Sequence, residues 1–446
     1  MRRQVLVTIA VAAIVGMSAS TWAQGLSVEA PEASAGRLKV TVTSPGVFKA
    51  VVLQASGGGI GEFYNLASDP DAKQSLPWSD RGLFEVGWHG GGFKNPNADK
   101  KTCCNAHALG GKPEDNCYDG CADWPSMGHQ SLKATGELAV IEQSPARVRV
   151  RTKAPFVWWS KFVHKLTAEA VYTFYPSGRI VIQVRVQNAA DNRPFHWSGE
   201  YGPHLTVGGS DKDEKADRGF AWSTPKQDAF KSGSPSEELV LAASDKTKTR
   251  LMLSIPPEEA KLFNHFMQHN GRSIGWDRAG YGSGGIVMEP GYDNTWACMI
   301  EMGADAPNVA AFKTATEALP FAADYREPAR ITVGQAFLPA NPNGGQTGMS
   351  GLLTDDAGDF NKDGFNESEG CYVLKGPGPL AFTFEKGKGA GFAPAFKITG
   401  WAGDAPRSVK VDGKDVPVAA GVVDGKLIVQ ILGAVAADKA QVEIGK

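Results

Sequence analysis

Apolar and polar residues alternate one by one over long stretches of this chain, the period of a strand with one face buried. Leu38-Lys39-Val40-Thr41-Val42-Thr43 and Arg147-Val148-Arg149-Val150-Arg151-Thr152 are clear cases. From Leu166 to Asn188 two such runs flank Tyr175-Pro176-Ser177-Gly178-Arg179, which predicts an antiparallel hairpin. Asp412-Gly413 and Asp424-Gly425 each sit between apolar alternations and predict two more, since Asp-Gly suits a tight hairpin turn. One segment reads differently. Pro256 to His269 has proline at its start, Glu258 and Glu259 in its first turn and Gly271 just past its end. With Leu262, Phe263 and Phe266 as an apolar face, it is expected to be a helix.

The fold class expected is therefore mainly β, with antiparallel sheets that bury one face. Composition agrees, because 53 glycines and 27 prolines in 446 residues supply many turns. A composition break between Gly344 and Pro379 divides the chain. We expect a large antiparallel β-domain over 26–345, a linker over 346–379 and a small C-terminal β-sandwich over 380–446.

The first residues add an address. Met1-Arg2-Arg3, an apolar run from Val5 to Met17 and small residues from Ser18 to Ala23 have the three parts of a cleavable signal peptide, residues 1–23. The apolar run falls short of the ~20 residues a membrane-spanning helix needs. A secreted, periplasmic or cell-surface protein is expected, not transmembrane after cleavage. Basic and acidic residues nearly balance, 46 against 48, without a basic stripe. Nucleic acid is an unsuitable partner for such a surface.

Export changes how the cysteines are read. Cys103, Cys104, Cys117 and Cys121 crowd into a polar, aperiodic insertion at 95–130. An even number of cysteines in an oxidising compartment points to disulfides. Zinc, with His107 and His129 nearby, is the alternative, although the spacing departs from paired knuckles. Cys298 and Cys371 are candidates for a further pair.

The sharpest motif is Asp359-Phe360-Asn361-Lys362-Asp363-Gly364-Phe365-Asn366-Glu367. Side-chain oxygens at alternate positions, then glycine, let a backbone curl round one hard cation. Asp359, Asn361, Asp363, the Phe365 carbonyl and Glu367 are the expected ligands of a structural Ca2+. The motif resembles the calcium loops of EF-hands and dockerins. It departs from the EF-hand at the twelfth position, where Gly370 stands, with Glu369 one residue early and Asp355 or Asp356 as further donors.

Three groups carry candidate chemistry. The richest runs from Asn192 to His204 and holds His196, Trp197, Glu200, Tyr201 and His204. His265, His269, Arg272, Trp276 and Tyr281 form the second, and Trp88-His89-Gly90-Gly91-Gly92-Phe93 the third. Aromatic rings stack on sugar faces, while histidine and tyrosine exchange protons. Nucleophile elbows and phosphate-binding loops are absent from the sequence.

The stretch from Ala170 to Ile182, with its Tyr175-Pro176-Ser177-Gly178-Arg179 turn, resembles the strand-turn-strand of β-supersandwich, galactose-mutarotase-like proteins. Secreted polysaccharide lyases share that scaffold. The resemblance implies a β-supersandwich and a polysaccharide or oligosaccharide ligand in a cleft on a concave sheet face. If the activity is that of a lyase, the reaction is β-elimination on a uronate. Tyr201 and His204 are then the candidate acid and base, with His196 beside them. Arg272 or His89 would neutralise the uronate carboxylate, and Trp197, Trp276 and Tyr281 would stack on sugar rings. A non-catalytic glycan-binding or cell-surface structural protein is the competing expectation, because one scaffold carries both roles.

Overall fold

The computed structural model describes residues 25–34, 37–54, 58–77, 82–85, 91–94, 118–122, 136–158, 161–197, 202–206, 218–222, 240–244, 249–256, 265–269, 273–277, 286–303, 325, 328–332, 358–387 and 391–445. Within them the chain is almost wholly antiparallel β-structure. The expected signal peptide lies outside the described residues. Among the described residues, no helix is long and apolar enough to cross a membrane.

The centrepiece is an eight-stranded sheet. At its middle, Lys161–Phe174 and Arg179–Asn188 form the expected hairpin, with Phe174 opposite Ile180 and Gly178 at φ 86° in the turn. Alternation does the rest. Ala168, Ala170, Tyr172 and Phe174 point to one side with Ile180, Ile182, Val184 and Val186, and all are buried in one core. Arg149, Arg151 and Lys153 project from the other side, because neighbours on a strand face opposite ways.

A four-stranded sheet of Ser27–Ser34, Arg37–Ser44, Phe48–Leu53 and Gly59–Asn65 covers the apolar side. Val40, Val42, Phe48, Ala50 and Phe63 enter the same core, and Phe48 stacks between Phe63 and Phe174 with ring centroids 5.8 and 6.1 Å away. The result is a β-sandwich. Two smaller four-stranded sheets add Phe84, Phe195, Leu205 and Met288 to that core.

The C-terminal module is a second sandwich of two five-stranded sheets with its own core of Tyr372, Leu374, Phe382, Phe384, Phe396, Ile398, Val429 and Val442. Asp412 and Asp424 take positive φ, as do Gly413 and Gly425 after them, so both expected hairpins turn where anticipated. Part of the segment read as linker belongs to this sandwich. Phe365–Asn366 and Cys371–Lys375 are strands of one sheet, the latter paired parallel to Ala395–Thr399. Arg330–Thr332 adds an edge strand to the other sheet.

Two expectations are corrected. His265–His269 is a strand and not a helix end, paired with Ser273–Asp277 so that Phe266 lies opposite Trp276. A cross-strand partner outweighs local helix signals there; residues 257–264 lie outside the described residues. Cys298 and Cys371 form no disulfide with each other, because Cys298 is buried in the core of the large sandwich and Cys371 in that of the C-terminal one.

Candidate functional site

The acidic loop folds round its own carboxylates. Asp359 accepts hydrogen bonds from the Asp363 amide at 3.1 Å and the Gly364 amide at 2.7 Å. Asn361 accepts from the Asp363 amide at 3.0 Å, Asp363 from the Phe365 amide at 2.8 Å and Glu367 from the Phe360 amide at 2.8 Å. Lys362 and Gly364 adopt φ of 60° and 92°, which lets the chain curl this tightly. A Cβ on Gly358 would lie 2.3 Å from the Asn366 amide oxygen, so the loop closes on itself only with glycine there.

Carboxylate oxygens of Asp359, Asp363 and Glu367 all lie within 4.8 Å of one another. Asp359 and Glu367 are buried, at 5% and 1% exposure. Burial, followed by the neighbouring carboxylates, pushes the Asp359 carboxyl up to about 6 and that of Glu367 up to about 9. Among the described residues neither acid has a basic partner. Buried charge of one sign without a counter-charge is costly. The donor set is all hard oxygen, which suits a calcium ion.

Glu369, weighed from the sequence as a further donor, turns away from the loop. Its carboxylate meets Arg147 at 2.6 Å, Lys397 at 3.1 Å and Arg149 at 3.5 Å. Burial alone would raise the Glu369 carboxyl, but these three cations hold it well below the usual carboxylate range. Arg147 is itself fully buried and is gripped from its other side by Glu142, with contacts of 2.6 and 2.7 Å. This cluster joins the large sheet to the C-terminal sandwich. Sequence reasoning missed it: Arg147 looks like the first of an alternating row of solvated arginines, and its partner lies 222 residues on.

Strand pairing gathers the three histidine-rich groups. Phe195–Trp197 pairs with Gly91–Lys94, placing His196 opposite Gly92 and Trp197 opposite Gly91. His204–Thr206 pairs with Phe84–Glu85 on one side and Ser273–Asp277 on the other, with His204 opposite Glu85 and Gly275, next to Trp276. The connections 86–90 and 198–203, which contain His89 and Tyr201, therefore start and end at directly paired residues. His89, Tyr201, Arg272 and Tyr281 themselves lie outside the described residues, as do Cys103, Cys104 and Cys117; Cys121 falls in the strand Tyr118–Ala122. His204 is buried, at 1% exposure, with Nδ1 3.0 Å from the Gly202 carbonyl oxygen. A carbonyl only accepts, so Nδ1 carries the proton, and in the neutral ring Nε2 is the basic nitrogen.

No protein-family model matches this sequence, and no curated protein matches it. Among solved structures it is similar to an aldose epimerase homologue from C. elegans, with 8% identity over 60% of this chain and 99% of that one and a TM-score of 0.36. A galactose 1-epimerase from Lactobacillus acidophilus gives 9% identity over 63% of this chain and 99% of that one, with a TM-score of 0.35. A polysaccharide lyase gives 9% identity over 94% of this chain and 46% of that one, with a TM-score of 0.25.

Proposed function

We propose that this is an exported carbohydrate-active protein that cleaves a uronate-containing polysaccharide by β-elimination and carries one structural calcium ion in the Asp359 loop. The observation that supports the enzyme reading is the strand pairing, which joins Phe195–Trp197 to Gly91–Lys94 and His204–Thr206 to both Phe84–Glu85 and Ser273–Asp277, although these strands are distant in sequence. Elimination needs a base to take the C5 proton. The electron pair released forms the C4–C5 double bond, the C4–O bond breaks, and an acid protonates the departing oxygen. His204, basic at Nε2, serves as base and Tyr201 as acid, with His196 beside them. Arg272 or His89 neutralises the uronate carboxylate, which acidifies the C5 proton. Trp197, Trp276 and Tyr281 hold the sugar rings.

Calcium would be held by Asp359, Asn361, Asp363, the Phe365 carbonyl and Glu367, where it neutralises charge and fixes the loop. The test of the enzyme reading is short-wavelength ultraviolet absorbance, which rises when the conjugated unsaturated uronate forms, on a panel of uronate polysaccharides. A second reading, a non-catalytic glycan-binding or cell-surface protein, is favoured by the burial of His204. A flat absorbance trace with retained binding in affinity electrophoresis selects that reading.

A further inference from the structure

We propose that calcium in the Asp359 loop controls the docking of the C-terminal sandwich onto the eight-stranded sheet, acting through residues 367–371; this rests on the calcium reading above. The last ligand and the docking contacts are consecutive in the chain. The Glu367 carbonyl accepts from the Tyr325 hydroxyl at 2.8 Å. Ser368 Oγ accepts from Gln183 Nε2 of the large sheet at 3.1 Å. Glu369 places its carboxylate between Arg147, Arg149 and Lys397, and its carbonyl accepts from the Tyr175 hydroxyl at 2.6 Å. The Gly370 carbonyl accepts from Arg179 at 3.5 Å. Each of residues 368–370 thus contacts the large sandwich directly.

The loop holds this segment in place from within. The Ser368 amide donates to the Gly358 carbonyl at 3.2 Å and the Glu369 amide to Asn366 Oδ1 at 2.8 Å. Without a cation, ionisation of these three buried carboxylates brings like charges together within 4.8 Å, and the loop is released to move them apart. Glu367 and Glu369 are two residues apart, at most about 7 Å of extended chain. Glu369 is buried and held by three cations, so a displaced Glu367 pulls on it through this short link. Arg147 then keeps Glu142 as its only carboxylate among the described residues, and the seam loses its central ion pair. Loop occupancy and docking are one equilibrium.

The test is amide hydrogen exchange on the full-length protein in calcium chloride or in EDTA, with calcium binding followed separately by calorimetry. At calcium 100 times its Kd, exchange is expected to slow by roughly 100-fold both in the loop and in the segments 175–183 and 395–399. Glu369→Gln is expected to keep calcium binding but to lose the slowing at 175–183. Ser368→Ala, a milder change, is expected to reduce that slowing without abolishing it. Calcium binding with slowing confined to 358–371 overturns the coupling while leaving the calcium site standing. An absence of binding heat overturns both.

Discussion

Arg147 and Glu369 meet at 2.6 Å across the seam between the two sandwiches, with the arginine side chain wholly out of solvent. Deleting the acid leaves a buried guanidinium short of counter-charge. Glu369→Ala is expected to cost about 3–5 kcal/mol in urea unfolding. A double-mutant cycle with Arg147→Met is expected to show a coupling of about 1–3 kcal/mol. Strictly additive costs would contradict the pairing.

Calcium is expected to stabilise the protein in a pH-dependent way. The carboxyls of Asp359 and Glu367 are raised in the metal-free fold, to about 6 and about 9. The fold therefore binds more protons than the unfolded chain between about pH 4 and 9, and metal-free stability falls as pH rises through that window. Calcium must displace those protons. The rise in melting temperature on adding calcium is expected to be larger at pH 8 than near pH 5.5, and Asp363→Ala is expected to abolish it.

Gly370 is a tight point of the same seam. Its φ is +66°, and a Cβ there would lie 2.5 Å from a methyl of Val181. Gly370→Ala is expected to cost about 1–3 kcal/mol, from overpacking and a left-handed alanine together. Adding Val181→Ala removes the clash but not the backbone strain. Melting curves of the single and double variants separate the two contributions, and an unaffected single variant would show that the seam has room.

For the chemistry, Tyr201→Phe is expected to lower turnover of a uronate polysaccharide by about 10²–10⁴-fold with an unchanged melting temperature. His204→Ala, at a buried ring, is expected to lower both. A Tyr201→Phe variant that melts early with full activity per folded molecule would assign this segment to structure alone.

How far the sequence reached depended on the range of the interaction. Hairpins closed by Tyr175 to Arg179, by Asp412-Gly413 and by Asp424-Gly425 were legible, because turn chemistry and alternation sit within a few residues of each other. The curl of the acidic loop round Asp359 was legible for the same reason. His265–His269 was not, since its partner strand outweighs its own helix signals. Glu369 lies near the loop in sequence, yet its partners are distant: Arg147 just before the strand Val148–Trp158 and Lys397 in the strand Ala395–Thr399. Nothing local distinguishes Arg147 from Arg149 or Arg151.

The strand pair Gly91–Lys94 and Tyr118–Ala122 carries one more consequence. Lys94 lies opposite Tyr118, so the cysteine-bearing stretch 95–117 leaves and re-enters the fold at a single point. The second of these strands is at the border of its sheet. Loop length costs little once its ends are fixed, since each doubling adds only about 0.6 kcal/mol. The two ends of that stretch are therefore close enough for a short turn to join them, which would close a hairpin between Gly91–Lys94 and Tyr118–Ala122.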